Sequence, residues 1–190
     1  MSPAPHEGTP PKTYRHQTGL EFQYPPSWTV QNSPTGLVIS PPNIRKDAQG
    51  QALEAIVLAS TPAQGISQIS DPRVTNFCDQ SIPQMFGSLS RNNQTSAINN
   101  KLGSGIYLPY KGNNIQGLPM QVGIYCVLYQ NTGLYLMHAA KKGFYSQYQN
   151  DVALIFKSFK QAQGQPTKGQ QNANQNQIAG IRDTALVGTW

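Results

Sequence analysis

The sequence predicts an α+β domain in which one antiparallel β-sheet is flanked by helices as an α/β/α sandwich. Three observations support this. Leu20, Phe22 and Tyr24 alternate with polar residues, which is the period-two pattern of a half-buried strand. Apolar stripes at helical spacing follow Asp71 and Phe144. Between the stripes, apolar runs alternate with short turn signals, which favours an antiparallel meander.

Four strands are expected before the first helix, near residues 20–24, 27–31, 36–40 and 53–60. Pro25 and Pro26 lack amide donors, so they end one strand and form a tight turn. Trp28 then re-enters the sheet as a large apolar anchor. The run at 53–60 has a nearly continuous apolar centre, so we expect it in the middle of the sheet.

The first helix is predicted to begin at Asp71, a good N-cap, followed by Pro72 at the first helical position. Its apolar stripe consists of Val74, Phe77, Cys78, Met85 and Phe86. Pro83 lies inside this segment and is expected to kink or split the helix, because proline removes a helical hydrogen bond.

The second half predicts strands near 94–102, 105–110, 119–130 and 133–140, with turns at Gly117 and at 131–133. Along the third of these, Val122, Ile124, Cys126 and Leu128 occupy one face and Tyr125, Val127 and Tyr129 the other. Both faces are apolar, so layers should cover the sheet on both sides. A final helix is predicted over 147–159, with a stripe formed by Phe144, Tyr148, Val152, Ile155 and Phe159.

The ends of the chain differ in composition from its centre. We expect a disordered Pro-rich linker at 1–13, the folded domain at 14–161 and a Gln/Asn-rich linker at 162–183. Residues 184–190 are a docked tail or the start of a truncated second domain, since 186–190 is similar to the Gly-x-Trp strand of lipocalin-like barrels. Met1 is interpreted as an added start after a removed targeting segment. Peripheral membrane association through a missing N-terminal anchor is therefore one alternative.

Charged residues form 12% of the chain, about half of the usual share of roughly 25%. Neutral polar residues replace them, which favours an exported bacterial protein of the periplasm or cell envelope. The net charge is +6, but Arg45-Lys46 and Lys141-Lys142 are the only adjacent basic pairs. This pattern argues against nucleic-acid binding, which needs a clustered basic stripe. It leaves a solvated basic surface, or else weak attraction to an anionic membrane or an acidic partner.

No catalytic or cofactor-binding pattern is present. The sequence contains neither a nucleophile elbow nor a phosphate-binding glycine loop, and its three histidines, His6, His16 and His138, are dispersed. We interpret His138 as a packed or rim histidine. Cys78 and Cys126 are either reduced core residues or a disulfide between helix and sheet, and neither has the neighbours that a metal site needs. We therefore predict no enzyme, no cofactor and no metal.

Tyrosines and lysines of the second half are the candidate binding residues. Tyrosine combines apolar area with a polar tip and is common in interfaces. The stretch 107–114 is aromatic and basic, and it is expected to lie in a loop. The candidate partner-binding residues are Tyr107, Tyr110, Lys111, Lys141 and Lys142.

Two motifs resemble a known family. Residues 22–28, Phe-Gln-Tyr-Pro-Pro-Ser-Trp, resemble the aromatic–Pro–x–x–Trp motif of the PsbP-like/Mog1-like superfamily, and 155–159 resemble the end of its last helix. The resemblance covers about residues 14–160. The structural anchors expected in this fold are Phe22, Tyr24, Pro25, Trp28, Phe77, Ile155 and Phe159.

The resemblance implies an antiparallel sheet between helices and a binding role. Members of the superfamily include extrinsic photosystem II subunits, a GTPase-binding branch, envelope lipoproteins and chaperones of secreted proteins. We therefore expect a non-catalytic, protein-binding or assembly domain of the bacterial envelope with a protein partner. The alternative is a chaperone or carrier with an apolar groove for lipid or hydrophobic peptide.

Overall fold

The computed structural model describes residues 9–46, 50, 52–92 and 94–163. The first half contains strands β1 (Lys12–Arg15), β2 (Leu20–Tyr24), β3 (Thr29–Ser33), β4 (Gly36–Ser40) and β5 (Glu54–Pro62), and helix α1 (Pro72–Phe86). The second half contains β6 (Gly87–Arg91), β7 (Ser96–Ala97), β8 (Gly105–Asn114), β9 (Pro119–Tyr129), β10 (Thr132–Lys141), helix α2 (Tyr145–Lys157) and β11 (Lys160–Gln161).

The main sheet has the strand order β3-β4-β5-β10-β9-β8-β6, with the short β7 also paired to β8. All of these pairs are antiparallel. β1, β2 and β11 form a second, three-stranded sheet, which is also antiparallel. As expected, β5 lies in the interior of the main sheet, and the α+β class is confirmed.

Layers cover both faces of the main sheet. Helix α1 packs on one face through Val74, Cys78, Ile82 and Phe86, against the β9 residues Val122, Ile124 and Cys126. Helix α2 and the small sheet pack on the other face, against Tyr125 and Val127. The alternation predicted for β9 is therefore the division between the two cores, and the sandwich architecture is confirmed.

Trp28 lies in the second core with 1% of its surface exposed, and its ring meets Tyr148 of α2 edge-on at 5.3 Å. Phe22, Ile155 and Phe159 are equally buried, whereas Tyr24 and Pro25 are partly exposed. The remaining expected anchor, Phe77, is not buried. It is 41% exposed, and its ring packs against that of Tyr135 at 5.5 Å.

Helix α1 begins where the local chemistry predicts. The Asp71 side chain accepts a hydrogen bond from the Arg73 amide at 2.9 Å, and Pro72 follows as the first helical residue. Pro83 does not split the helix, which is continuous to Phe86. Because Pro83 lies in the last turn, only a short stretch of helix follows it, and its carbonyl accepts from the Gly87 amide.

Several predicted boundaries are wrong. Of the strand expected at 94–102, only Ser96–Ala97 is extended, and β6 directly after α1 was not predicted. Lys12 and Thr13, assigned to the N-terminal linker, belong to β1 and pair with Tyr24 and Gln23 of β2. Ala162, assigned to the C-terminal linker, donates its amide to Gly19 at 2.8 Å.

The last helix is shifted by two residues from its predicted range. It begins at Tyr145 and ends at Lys157, where Ser158 is the C-cap residue. Phe159, which follows the helix, is fully buried in the core. The remaining predicted segments, the Gln/Asn-rich linker from 164 onward, the tail at 184–190 and residues 1–8, lie outside the described residues.

Candidate functional site

Tyr110, a predicted partner-binding residue, lies in the core rather than in a loop. It belongs to β8 and is 1% exposed, because the strand continues to Asn114 and places this side chain under α1. Its hydroxyl donates to Asp79 Oδ1 at 2.7 Å. Burial, and then this hydrogen bond, raise the pKa of the Tyr110 phenol. Tyr110 is therefore mainly a packing residue.

The carboxylate of Asp79 also binds Arg91, whose Nε and Nη2 lie 2.9 and 3.0 Å from its two oxygens. Asp79, Tyr110 and Arg91, together with Leu89 and Ser90, line a cavity that is open to solvent beside α1. Its walls are mainly polar, and its two charged groups already neutralise each other. This arrangement holds β6 and β8 to α1.

Tyr107 is also mainly a packing residue. Its ring lies 4.6 Å from that of Tyr125, and its hydroxyl shares a 2.8 Å hydrogen bond with that of Tyr145 at the start of α2. Burial raises the pKa of the Tyr107 phenol. Gly123 makes room for both hydroxyl-bearing rings, since a Cβ at this position would collide with Tyr145 and Tyr107. One edge of Tyr107 stays exposed.

The three predicted lysines come together at one end of the main sheet. Lys111 lies opposite Gln121, which lies opposite Ala140, the neighbour of Lys141. The Lys142 amide then donates to the Pro119 carbonyl at 2.9 Å. Lys111 and Lys142 are exposed, and Lys141 is partly exposed.

The β8–β9 turn projects two aliphatic side chains at this same end. Ile115 is 68% exposed and Leu118 is 43% exposed, which makes them two of the four large exposed apolar residues in the described part of the chain. The turn at Gly117 is predicted from the sequence, but the exposure of Ile115 and Leu118 is not. The available signal was the presence of bulky aliphatic residues in a turn, where polar residues are usual.

Hydrogen bonds hold the turn in one conformation. The Asn114 amide donates to the Leu118 carbonyl at 2.8 Å, and the Asn114 side-chain oxygen accepts from the amides of Gln116 and Leu118 at 3.0 and 2.8 Å. Gly117 supplies the left-handed conformation, with φ of 76°, that closes such a three-residue loop. Ile115 and Leu118 are therefore exposed on a well-ordered turn.

The strand beside the turn supports it closely. β6 begins at Gly87, opposite Asn114, and a Cβ on Gly87 would lie 2.6 Å from the Ile115 amide nitrogen. Gly87 has φ of 108°, which side-chain-bearing residues rarely adopt. The junction between α1 and β6 thus determines where the turn lies.

We name Lys111, Ile115, Leu118, Lys141 and Lys142 the basic hairpin end. No Asp or Glu occurs in the sequence between Asp79 and Asp151, so the strands β6 to β10 carry no acidic residue that could neutralise it. The basic hairpin end therefore combines exposed aliphatic surface with the positive charge of lysines on strands that carry no acid.

Two other groups of reactive residues are sealed in the cores. Cys78 and Cys126 are free, buried thiols that touch each other. Burial, followed by the hydrogen bond with Cys78, raises the pKa of the Cys126 thiol. His138 is fully buried, 3.8 Å from the Glu54 carboxylate and stacked on Tyr145 at 4.6 Å. Neither group is open to a substrate.

The described residues contain no cluster of three or more His, Cys, Asp or Glu that could bind a metal ion. Within the same residues, no helix has both the length and the hydropathy that a membrane span requires.

Comparison with known proteins shows similarity in structure only. No protein-family model and no curated protein matches the sequence. The fold is similar to cyanobacterial PsbP (CyanoP) from Synechocystis, with a TM-score of 0.52 and 13% identity over 85% of this chain and 98% of that one. It is also similar to the Ran-binding protein Mog1p of Saccharomyces cerevisiae, with a TM-score of 0.51 and 12% identity over 80% and 96%.

LpqN of Mycobacterium tuberculosis, a protein involved in cell envelope biogenesis, is similar with a TM-score of 0.54 and 14% identity over 79% of this chain and 89% of that one. At these identities the likeness shows the fold alone. The chain has a PsbP/Mog1-like fold.

Proposed function

We propose that this chain is a non-catalytic binding and assembly domain of the bacterial cell envelope, and that the basic hairpin end holds it there. The observation that carries the proposal is the basic hairpin end itself. It places two exposed aliphatic side chains beside three lysines, in a part of the chain without acids. Such a surface favours an anionic partner that also accepts apolar contact.

A non-catalytic role is supported by the placement of the reactive side chains. His138, Glu54, Cys78 and Cys126 are buried in packed cores, and the open cavity beside α1 is lined by an ion pair that stabilises the fold. An acid–base or nucleophilic mechanism needs such groups within reach of a substrate. The polar walls of that cavity give no support to the alternative of a carrier with an apolar groove.

An exported location and a protein partner are supported by composition and by the proteins of similar fold. The low share of charged residues favours an exported bacterial protein, and LpqN is involved in cell envelope biogenesis. Mog1p binds Ran, which is a precedent for protein recognition by this fold. We propose the periplasmic side of the envelope as the place where this chain assembles with its protein partner.

The test is sedimentation of the purified full chain with isolated bacterial envelopes, which contain both lipid and protein. The wild type should co-sediment, and the double variant Lys111→Glu/Lys142→Glu should lose most of its bound fraction. Lys101→Glu is the matched control, since Lys101 is an exposed lysine outside the basic hairpin end. Equal envelope binding by all three proteins would refute the role of this surface, and no binding by any would refute the proposal.

A further inference from the structure

We infer that the occupant of the basic hairpin end is the surface of an anionic lipid bilayer, into which Ile115 and Leu118 insert. This inference rests on the proposed envelope function and names the partner of that same surface. It assigns the aliphatic residues to the apolar boundary of the membrane and the lysines to the lipid headgroups.

The shape of the turn suits shallow insertion. The ladder between β8 and β9 ends at Asn113 and Pro119, so the turn that carries Ile115 and Leu118 forms the outermost part of this end of the sheet. Interfacial protein segments bury their apolar side chains about 5–10 Å deep, at the boundary of headgroups and acyl chains. Because Asn114 and Gly117 already hold the turn in one conformation, insertion requires little further ordering of the backbone.

The charge of the surface selects anionic lipid. Each lysine near an anionic bilayer contributes about fivefold to binding, and Lys111 and Lys142 are both exposed beside the turn. The closest acidic residue along the chain before this region is Asp79, and its carboxylate is already paired with Arg91. Strands β8, β9 and β10 contribute no acid that would cancel the positive field of Lys111 and Lys142.

The residue types favour a lipid partner over a protein partner. Protein interfaces are enriched in tyrosine, tryptophan and arginine and depleted in lysine. At the basic hairpin end the charges are all lysine and the apolar groups are aliphatic, while Tyr107 and Tyr110 are used in packing. Lysine has a long apolar stem that extends along acyl chains while its ammonium stays at the headgroups.

The experiment is co-sedimentation of the purified full chain with two kinds of vesicle, phosphatidylcholine alone and phosphatidylcholine mixed with phosphatidylglycerol. We expect binding to the mixed vesicles only, and weaker binding as the salt concentration rises. Ile115→Ser and Leu118→Ser should each reduce the partition coefficient about tenfold. Lys111→Gln and Lys142→Gln should each reduce it about fivefold.

Lys101→Gln and Leu154→Ser are the matched controls, the first for charge and the second for an exposed leucine, 62% exposed on α2 and outside this surface. Both should bind as the wild type does. All substituted positions are exposed, and an unchanged circular dichroism melt confirms that each variant is folded. Equal vesicle binding by the hairpin variants and the wild type would overturn the inference, because another surface would then bind the lipid.

The vesicle result is separable from the envelope result. Suppose that the wild type binds neither kind of vesicle but still sediments with envelopes, and that this sedimentation is lost when Lys111 and Lys142 are replaced. In that case the occupant is an acidic protein. The lipid inference then fails and the proposed function stands. If the chain binds neither vesicles nor envelopes, both fail.

Discussion

Replacing Tyr110 with phenylalanine removes one hydroxyl from the core beneath α1 without leaving a cavity. This hydroxyl donates to the Asp79 carboxylate at 2.7 Å, which is the length of a strong, charge-assisted hydrogen bond. Tyr110 is predicted from the sequence to be a partner-binding residue in a loop, whereas the structure buries it. Tyr110→Phe should therefore lower the stability of the fold and leave envelope binding per folded molecule unchanged.

The expected cost is about 1.5 kcal/mol. A hydrogen bond to a charged group is worth about 1.5–3 kcal/mol. The lower end applies because the Asp79 side chain is 34% exposed and keeps its contacts with Arg91. The substitution therefore leaves neither an unpaired charge nor a buried polar atom without a hydrogen bond. For a domain of this size, such a loss corresponds to a decrease in Tm of about 3–6 °C.

Thermal and urea unfolding measure this cost, with Tyr107→Phe as the matched control. The Tyr107 hydroxyl bonds to neutral groups, the Tyr145 hydroxyl and the Gln149 side chain, so its loss should cost about 0.5–1 kcal/mol. The Tyr110–Asp79 hydrogen bond would not have the expected strength if Tyr110→Phe were as stable as the wild type. The same would follow if it were at least as stable as Tyr107→Phe.

The pH dependence gives a second readout. Burial and the Asp79 hydrogen bond raise the folded-state pKa of Tyr110 above its ordinary value of 10.0, so the unfolded chain ionises first. This contribution to stability is complete below about pH 10 and is lost as the pH rises further. Between about pH 9 and about pH 11, the wild type should lose about 1 kcal/mol more stability than Tyr110→Phe does.

Three further substitutions test the fold. Trp28→Ala should cost about 3–5 kcal/mol in urea unfolding, since the indole is 1% exposed, and a cost below about 1 kcal/mol would contradict its place in the core. Gly87→Ala should cost about 1–3 kcal/mol and speed amide exchange in the β8–β9 turn, because its Cβ would lie 2.6 Å from the Ile115 nitrogen; unchanged exchange would argue against this contact. Hydrogen bonds from Lys160 and then Arg15 lower the pKa of the Glu21 carboxyl, so stability falls as the pH falls below about 4.5. Glu21→Gln should therefore have a flatter profile of Tm against pH in this range, and equal profiles for the two proteins would contradict this.

The elements that sequence predicted well are those with strong local signals. Asp71 and Pro72 start α1 through hydrogen bonds within four residues, so the start of the helix needs no tertiary information. Strand β9 has two apolar faces, and alternation alone separates Val122 from Tyr125. The edge strand β6 was missed because Leu89 is its only core residue, so no alternating apolar pattern marks it.

Three residues of the basic hairpin end, Lys111, Lys141 and Lys142, are also candidates from the sequence. The lysines were identified as charged surface residues, but only strand register shows that Lys111 and Lys142 lie at the same end of the sheet. Tyr110 was misplaced because Pro109 and Gly112 are typical of loops, and here they lie within β8, opposite Gly123 and Leu89. Ile115 is exposed because it lies in the turn between β8 and β9 that Asn114 closes. That turn forms only when the two strands pair.

A fluorescent probe at the tip of the turn tests the central claim most directly. Cys78 and Cys126 are buried, so a thiol-reactive, environment-sensitive dye on Leu118→Cys labels that position selectively, and the same dye on Lys101→Cys is the control. On vesicles that contain phosphatidylglycerol, we expect brighter, blue-shifted emission from the dye at position 118 and unchanged emission from the dye at position 101. With phosphatidylcholine alone, neither emission should change. Vesicle-bound protein whose dye at 118 still reports bulk water would contradict it.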